Sequence, residues 1–329
     1  MSKKAIQKVN YRTAESVSPG HPDKICDQIS DAILDAYLVV DKNARVAVET
    51  CGGHGVVFLT GEITAKKHID VTPIVKRLAG DVQIIKHIAT QSGEIARGVD
   101  TGGAGDQGIM VGYACSDTPE LLPLETVLAR KLNYALYNTW PFDGKTQITL
   151  RNNAIESIVA SFQNAPGTQL KIAVEKWLAD EPLTAGNKDV AIHVNPAGDW
   201  AQGGFESDAG LTGRKLVIDN YGPGVPIGGG CFSGKDATKV DRSGAYMARR
   251  IAVDYLRTHA AKEVYCYLAY AIGRTEPLEA VVIIDGVQQP VEGYDLSPSG
   301  IIDTLGLRTP QFEQTARYGH FGHGFVWDK

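Results

Sequence analysis

Apolar residues in this chain keep changing period, from two to about 3.6 and back, and that switching restricts the fold more than any single motif does. Arg45–Thr50 and Gly55–Gly61 (GVVFLTG) are rich in Val and Phe beside a glycine cluster and predict strands. Gly108–Cys115, Lys145–Leu150, Val190–Asn195, Lys215–Asp219, Glu263–Ala271 and Ala280–Ile284 predict strands in the same way. Ile25, Ile29, Ile33 and Tyr37 recur every fourth residue, which predicts a helix over Asp23–Leu38. Helical spacing returns in Leu124–Leu136, Leu170–Leu178 and Ala245–Leu256, and Ser297-Pro298 supplies an N-cap followed by a first-turn proline. Strands that arrive in pairs between helices make a mixed α+β protein rather than a regular parallel α/β one. Gly108–Pro119 (GIMVGYACSDTP) and Tyr265–Pro277 (YCYLAYAIGRTEP) both run from a strand through Tyr-Ala to Thr and Pro, a faint echo of an internal repeat.

With 43% hydrophobic and 22% charged residues, the chain can bury a sizeable core, which excludes wholesale disorder. A net charge of −5 argues against a nucleic-acid binder held by phosphate contacts. No apolar run approaches the roughly 20 residues that span a bilayer, so no membrane association is expected. The opening MSKKAIQKVNYRTAES has no apolar core of the kind a secretory signal needs. The five cysteines form no C-x-x-C pair, so reduced thiols in a cytoplasmic protein are expected. Glycine alone is in excess, 36 residues, and clustered glycines mark backbone held close to a ligand.

Three segments are too unusual to be scaffold alone. In ESVSPGHPDKICDQISDAILDAYL (Glu15–Leu38), Pro22 sits where a helix can begin, placing His21 and Asp23 at the positive end of its dipole. A carboxylate there caps the helix, coordinates a metal, or does both. Asp23, Asp27, Asp31 and Asp35 form an i, i+4 stripe, read for Asp31 and Asp35 as a solvated face. In GGAGDQGIMVG (Gly102–Gly112), Gly103, Gly105 and Gly108 fit G-x-G-x-x-G but precede a strand-like run, the wrong order for a dinucleotide site. A glycine loop carrying Asp106 at a strand edge is the better reading. In GGGCFSGKDATKVDRSGAY (Gly228–Tyr246), Gly229–Lys235 fits G-x-x-x-x-G-K, yet Asp236 stands where a P-loop needs Ser or Thr. A P-loop kinase or NTPase fails there, but the makings of a phosphate site remain in the glycines, Lys235, Lys239 and Arg242, with Asp241 available for a metal. Arg214-Lys215 follows Asp208. His21, Lys145, Arg214, Lys215, Lys235 and Lys239 are thus candidate cations, with Asp23 and Asp241 as candidate magnesium ligands, an inventory suited to a polyphosphate. No Ser-His-Asp or Cys-His arrangement supports covalent catalysis.

Together these segments closely resemble the S-adenosylmethionine synthetase (methionine adenosyltransferase) family. The resemblance rests on ESVSPGHPDK at Glu15–Lys24, GEIT at Gly61–Thr64, GAGDQG at Gly103–Gly108, GLTGRK at Gly210–Lys215, GGGCFSGKDATKVDRS at Gly228–Ser243 and YGHFG at Tyr318–Gly322, in one order over nearly the whole chain. It implies three pseudo-equivalent β-α-β-β-α-β units around a pseudo-threefold axis, approximately residues 1–98, 103–202 and 203–329. It implies the reaction of ATP, L-methionine and water to S-adenosylmethionine, phosphate and diphosphate, with Mg2+ (two per site) and K+ as cofactors. It also implies at least a homodimer with the site between subunits, and a tetramer as a further expectation. By the same resemblance, His21 touches the triphosphate near the bond that breaks. Asp23 and Asp241 ligate Mg2+, and Glu49 serves K+. Glu62, Gln91, Asp208 and Lys239 hold methionine, Asp208 being shared with the nucleoside. Lys145, with Asp143 beside it, joins Arg214, Lys215, Lys235 and Lys239 along the polyphosphate. Asp199-Trp200 falls at the adenine-stacking pair, Ile272 lies by the adenine, and Cys231 lies in the glycine-rich loop of the ATP site. Gln91, Asp100 and Asp106 belong to the loop that closes over the site.

The chain also departs from the family pattern. Asp199-Trp200 replaces a basic residue and Phe, Cys231 replaces alanine, and Pro19 replaces an acidic residue. The chain is short for the family between Glu62 and Gln91, between Gln91 and Asp106, and at its C-terminus. A different class of reading, an inactive relative acting as a regulatory subunit, would accompany loss of a catalytic cation or metal ligand, and no matched position is lost.

Overall fold

Alternation of buried Val46, Val48 and Thr50 with outward Ala47, Glu49 and Cys51 makes one face of a strand apolar, and the same logic recurs through three small sheets. The structure is a computed structural model describing residues 10–90, 102–184 and 189–329. In chain order its elements begin with β1 (Tyr11–Val17), α1 (Pro22–Val40), β2 (Arg45–Gly53), β3 (Val56–Thr64), α2 (Thr72–Ala79) and β4 (Gln83–Ala89). There follow β5 (Gly108–Cys115), α3 (Leu124–Tyr137), β6 (Gly144–Arg151), β7 (Ala154–Phe162), α4 (Gly167–Asp180) and β8 (Ala191–Val194). The last group is β9 (Gly210–Leu211), α5 (Leu216–Asp219), α6 (Val240–His259), β10 (Glu263–Tyr270), β11 (Glu279–Ile284), β12 (Val287–Pro290), α7 (Pro298–Leu305) and α8 (Phe312–Tyr318).

Among the described residues the strands form three four-stranded sheets, ordered β4-β3-β2-β9, β8-β7-β6-β1 and β12-β11-β10-β5. In each, three strands come from one stretch of chain and the fourth from another. The N-terminal stretch lends β1 to the second sheet, the central stretch lends β5 to the third, and the C-terminal stretch lends β9 to the first. This cyclic exchange is the pseudo-threefold arrangement in physical form. The two segments of the sequence echo are β5 and β10, paired antiparallel in the third sheet from Glu263–Cys115 to Tyr270–Gly108. The third repeat departs from the first two: β4 and β8 join their sheets parallel after a helix, whereas β12 returns antiparallel in a hairpin and its helix comes later.

Helices α1, α3 and α6 each cover a sheet. The closest approach is at Gly112, where an added Cβ would lie 2.0 Å from the Ala248 carbonyl oxygen, so α6 can lie directly on β5. One core runs between the first and third sheets through Ile29, Ile33, Val46, Leu59, Ile251 and Leu268. A second, around Leu132, Ile148, Phe162 and Leu170, fills the space under the second sheet. Two expectations are corrected. Lys215–Asp219 is not a strand; its apolar run forms the short helix α5. The carboxylate stripe of α1 is not a solvated face: Asp23, Asp27 and Asp31 are buried, and Asp35 accepts backbone N–H groups of Gln311, Phe312 and Glu313 at the start of α8. Among the described residues no helix is long and apolar enough to cross a membrane.

Candidate active site

The edge of β2 that β3 leaves free is covered by two loops, which carry Asp208, Arg214 and Lys215 on one and Cys231, Lys235 and Lys239 on the other. Val46 and Thr50 donate their N–H groups to the side chains of Asp236 (2.7 Å) and Thr212 (2.9 Å), and Val48 donates to the Gly234 carbonyl (3.1 Å). Leu211 pairs with Cys51 and Lys235 with Ala47. Four residues of strand separate those positions, about 13 Å at the usual rise.

The first group surrounds the start of α1. His21 is its N-cap, and Nδ1 accepts the Asp23 N–H at 3.1 Å, which leaves the ring proton on Nε2. Burial, together with Lys215 and Lys145, lowers His21 to about 4, against the pull of Asp23. The candidate cation is therefore a neutral imidazole. Asp23 is buried, and its carboxylate accepts from the Leu211 N–H (2.9 Å), Arg214 Nε (2.8 Å) and Lys215 Nζ. Burial alone would raise that carboxyl; Lys215, the Leu211 N–H and Arg214 outweigh it and hold the group below its ordinary value. Arg214 and Lys215 open with Lys145 and Glu15 into a cavity of about 260 Å³. Lys145 Nζ lies 3.4 Å from Glu15. Asp143 accepts the Gly204 N–H at 3.1 Å, and burial pushes its carboxyl up. Asp208 lies exposed on the loop before β9, close enough to act on both His21 and Arg214.

The second group is the glycine-lysine loop ahead of α6. Gly234 must be glycine: its φ is +81° and a Cβ would lie 1.9 Å from the Val48 carbonyl oxygen. Lys235 Nζ donates to Asp241 at 2.6 Å, and Lys239 Nζ pairs with Asp236. Asp236, which disqualifies a P-loop, also binds the N–H groups of Val46 and Thr238 and so moors the loop to β2. Lys235 and Asp241 share a cavity of about 780 Å³ with Glu49, Asp106, Gly230 and Cys231. Burial pushes the Cys231 thiol up to about 12, so it packs rather than reacts. The Gly273 N–H donates to the Ala104 carbonyl at 2.8 Å, bringing the Asp106 loop beside exposed Ile272. Glu62 sits opposite Ala47 on β3, on the same outward face of the first sheet as Glu49.

Two candidates are reassigned by their contacts. Arg242 is not a phosphate ligand: it is fully buried, forks onto Asp31 at 2.6 and 2.9 Å, and lies 4.3 Å over the Phe312 ring. The Asp199 carboxylate is committed to the Gly167 N–H (2.9 and 3.1 Å) and Asn195 Nδ2 (3.0 Å), fixing the start of α4. Its carboxylate therefore fixes the start of a helix, next to Trp200 in the chain. Gln91 and Asp100 lie outside the described residues. The motifs hid the buried groups behind the site. Asp27 and Asp31 belong to the acidic stripe, but Lys24 is not singled out by the sequence, and the partners of Lys24 and Asp31, Asp219 and Arg242, stand 195 and 211 residues away.

Asp23 and Asp241 are hard-oxygen donors in separate places, each now paired with cations, Asp23 with Arg214 and Lys215 and Asp241 with Lys235, so Mg2+ would have to take the place of a lysine on either; among the described residues no three potential ligands gather around a metal. Such a donor set fits Mg2+ arriving with a polyphosphate, since that ion takes one or two carboxylates and completes its shell from phosphate and water.

Comparison with known proteins bears on the same segments. Family models described as the S-adenosylmethionine synthetase N-terminal, central and C-terminal domains match residues 9–96, 101–200 and 202–329. A protein of Salinibacter ruber named S-adenosylmethionine synthase is 39% identical, over 96% of this chain and 95% of the relative. A protein of the same name from a Nitratiruptor species is 40% identical over the same shares.

Proposed function

The chain belongs to the S-adenosylmethionine synthetase family and makes S-adenosylmethionine from ATP and L-methionine, and from that premise we propose how its side chains divide the work. Methionine's thioether sulfur has no proton to lose, so its attack on ribose C5′ needs no general base. The C5′–O bond breaks as the C5′–S bond forms, and the leaving group is a triphosphate whose charge must be stabilised. The observation that carries this reading is the cation pair Arg214 and Lys215, held by Asp23 at the head of α1 beside His21. His21 donates Nε2–H to the leaving oxygen. Lys145, Arg214 and Lys215 bind the polyphosphate, and Lys235 and Lys239 close on it from the second group. Asp23 and Asp241 would hold Mg2+, which neutralises phosphate oxygens, and Glu49 would serve K+. Water then cleaves the tripolyphosphate to phosphate and diphosphate. Trp200, Ile272, Asp143 and Cys231 frame the nucleoside, while Glu62, Asp208 and Lys239 face methionine.

The two groups open into separate cavities of one chain, which supports a homodimer in which each copy's first group meets the other's second. The outward face of the first sheet exposes Phe58, Ile85 and Leu211 around Glu49 and Cys51, a surface suited to that contact. The proposed setting is the cytoplasm, and whether dimers pair into tetramers is read by the same sedimentation run that establishes the dimer.

Mass-resolved product analysis with ATP, L-methionine, Mg2+ and K+ tests the function. S-adenosylmethionine with equal phosphate and diphosphate is expected; phosphate without an adenosylated sulfur product would overturn methionine as the acceptor. Lys235→Met should lower turnover by about 10²–10³, as loss of one preorganised donor does, with the fold intact. Asp241→Asn should shift the magnesium titration of activity to higher concentration, and an unshifted curve would remove Asp241 from the metal site.

A further inference from the structure

Behind the cation pair lies a charged trio that the reaction does not touch. Lys24 Nζ donates to Asp27 Oδ2 at 3.1 Å and to Asp219 Oδ2 at 2.7 Å, and the three side chains are 1%, 2% and 4% exposed. The other oxygen of Asp27 accepts the Gly213 N–H at 2.8 Å. Asp219 ends α5, which starts just after Lys215. The arch from Gly213 to Asp219, with Arg214 and Lys215 on it, is therefore tied to α1 at both ends, once through Asp27 and once through Lys24. Arg130 holds the same arch from its other side, donating to the carbonyls of Ile218 (2.8 Å) and Asn220 (2.6 Å).

Three buried charges are a poor way to gain stability, because apolar residues of like volume commonly do as well or better. What charged hydrogen bonds add is direction. None of the three side chains lines the cavity into which Arg214 and Lys215 open. We propose that Lys24, Asp27 and Asp219 form a buried clamp that positions Arg214 and Lys215 for the polyphosphate, with the Asp27–Gly213 hydrogen bond as its critical tie. This rests on the reading that those two cations bind polyphosphate.

The clamp makes Asp27 a positioning residue, which separates it from a residue that only supports the fold. A misplaced arch should weaken polyphosphate binding while methionine, held by other residues, is unaffected. The test is calorimetric titration of the full-length protein with inorganic tripolyphosphate and Mg2+, alongside the methionine KM. Asp27→Ala should raise the tripolyphosphate Kd by about tenfold or more, the scale expected when charged groups are displaced by an ångström, at unchanged methionine KM. Asp27→Asn keeps an oxygen for Gly213 and should recover most of the affinity. Where Asp27→Ala does not fold, Asp27→Ser, whose hydroxyl is too short to reach Gly213, takes its place with the same expectation. Folded Asp27→Ala or Asp27→Ser with wild-type Kd would overturn the clamp, as would an equal rise in methionine KM or an Asn variant as weak as the Ala one. Absence of tripolyphosphate binding in the wild type would instead overturn the functional reading, and the clamp's role with it.

Discussion

A histidine that caps a helix through Nδ1 and is half-buried beside two lysines has little room to be a cation, and His21 is in that position. Burial and Lys215 lower it to about 4, so it acts as a hydrogen-bond donor throughout the neutral range. A base whose folded value is depressed adds stability that is fully present above its unfolded value, about 6.5, and is lost as pH falls towards about 4. The stability advantage of the wild type over His21→Asn, from urea unfolding at several pH values, should therefore shrink between about pH 6.5 and 4. An advantage that grows on acidification would show that the folded protein holds a protonated His21. Over the same range kcat should show no limb near the ordinary histidine value, and such a limb would assign His21 a charged role. The sequence placed His21 at the head of a helix, and that much was legible from Pro22. Its neutrality was not, because Lys215 and Lys145 approach only through the fold.

At the scale of elements, α1 and α6 are joined by an ion pair that spans the molecule's interior. Arg242→Met would leave Asp31 a buried carboxylate with no countercharge, holding only the Gly234 N–H at 2.8 Å, a loss of about 3–5 kcal/mol, measurable by urea denaturation. A loss below about 1 kcal/mol, on the scale of a surface pair, would mean water reaches Asp31. Asp199→Ala should lower the melting midpoint by freeing the start of α4 while leaving the KM for ATP unchanged, whereas Trp200→Ala should raise that KM. A raised KM for ATP in Asp199→Ala would return the carboxylate to the nucleotide site. The regular elements were readable where one face is apolar, as in β5, β10 and α1. The run KLVID misled because its β-branched residues suit a strand, while Arg130 gathers the carbonyls of Ile218 and Asn220 into a turn of helix. The carboxylates of α1 misled because a polar stripe looks the same whether it meets water or a buried Lys24 and Arg242.

At the scale of the whole molecule, each of the two cation groups is half of the proposed site. A mixture of Lys215→Met and Lys235→Met chains, each inactive alone, should regain about a quarter of wild-type activity. Random pairing makes half the dimers mixed, and each mixed dimer carries one site free of both changes. No recovery after subunit exchange would place both groups in a single chain's site. Phe58→Asp on the exposed sheet face should give a folded but inactive monomer in sedimentation, and an active dimer would move the contact elsewhere. The three-unit plan was only faintly audible in the sequence, as the echo between β5 and β10, because strand exchange leaves no local mark. That exchange has a consequence for how the chain comes into being. The first sheet lacks its edge until Gly210–Leu211 arrives, the second begins with a strand made long before its neighbours, and the third borrows one from the middle of the chain. A chain that has reached Val194 already holds all four strands of the second sheet, while the first still waits for β9 and the third for β10, β11 and β12, so folding does not advance from the N-terminal unit onward. A nascent chain stopped before Gly210 should stay open to protease at β2 while the strands of the second sheet are already protected, and the first and third sheets should gain protection only as the rest of the chain arrives.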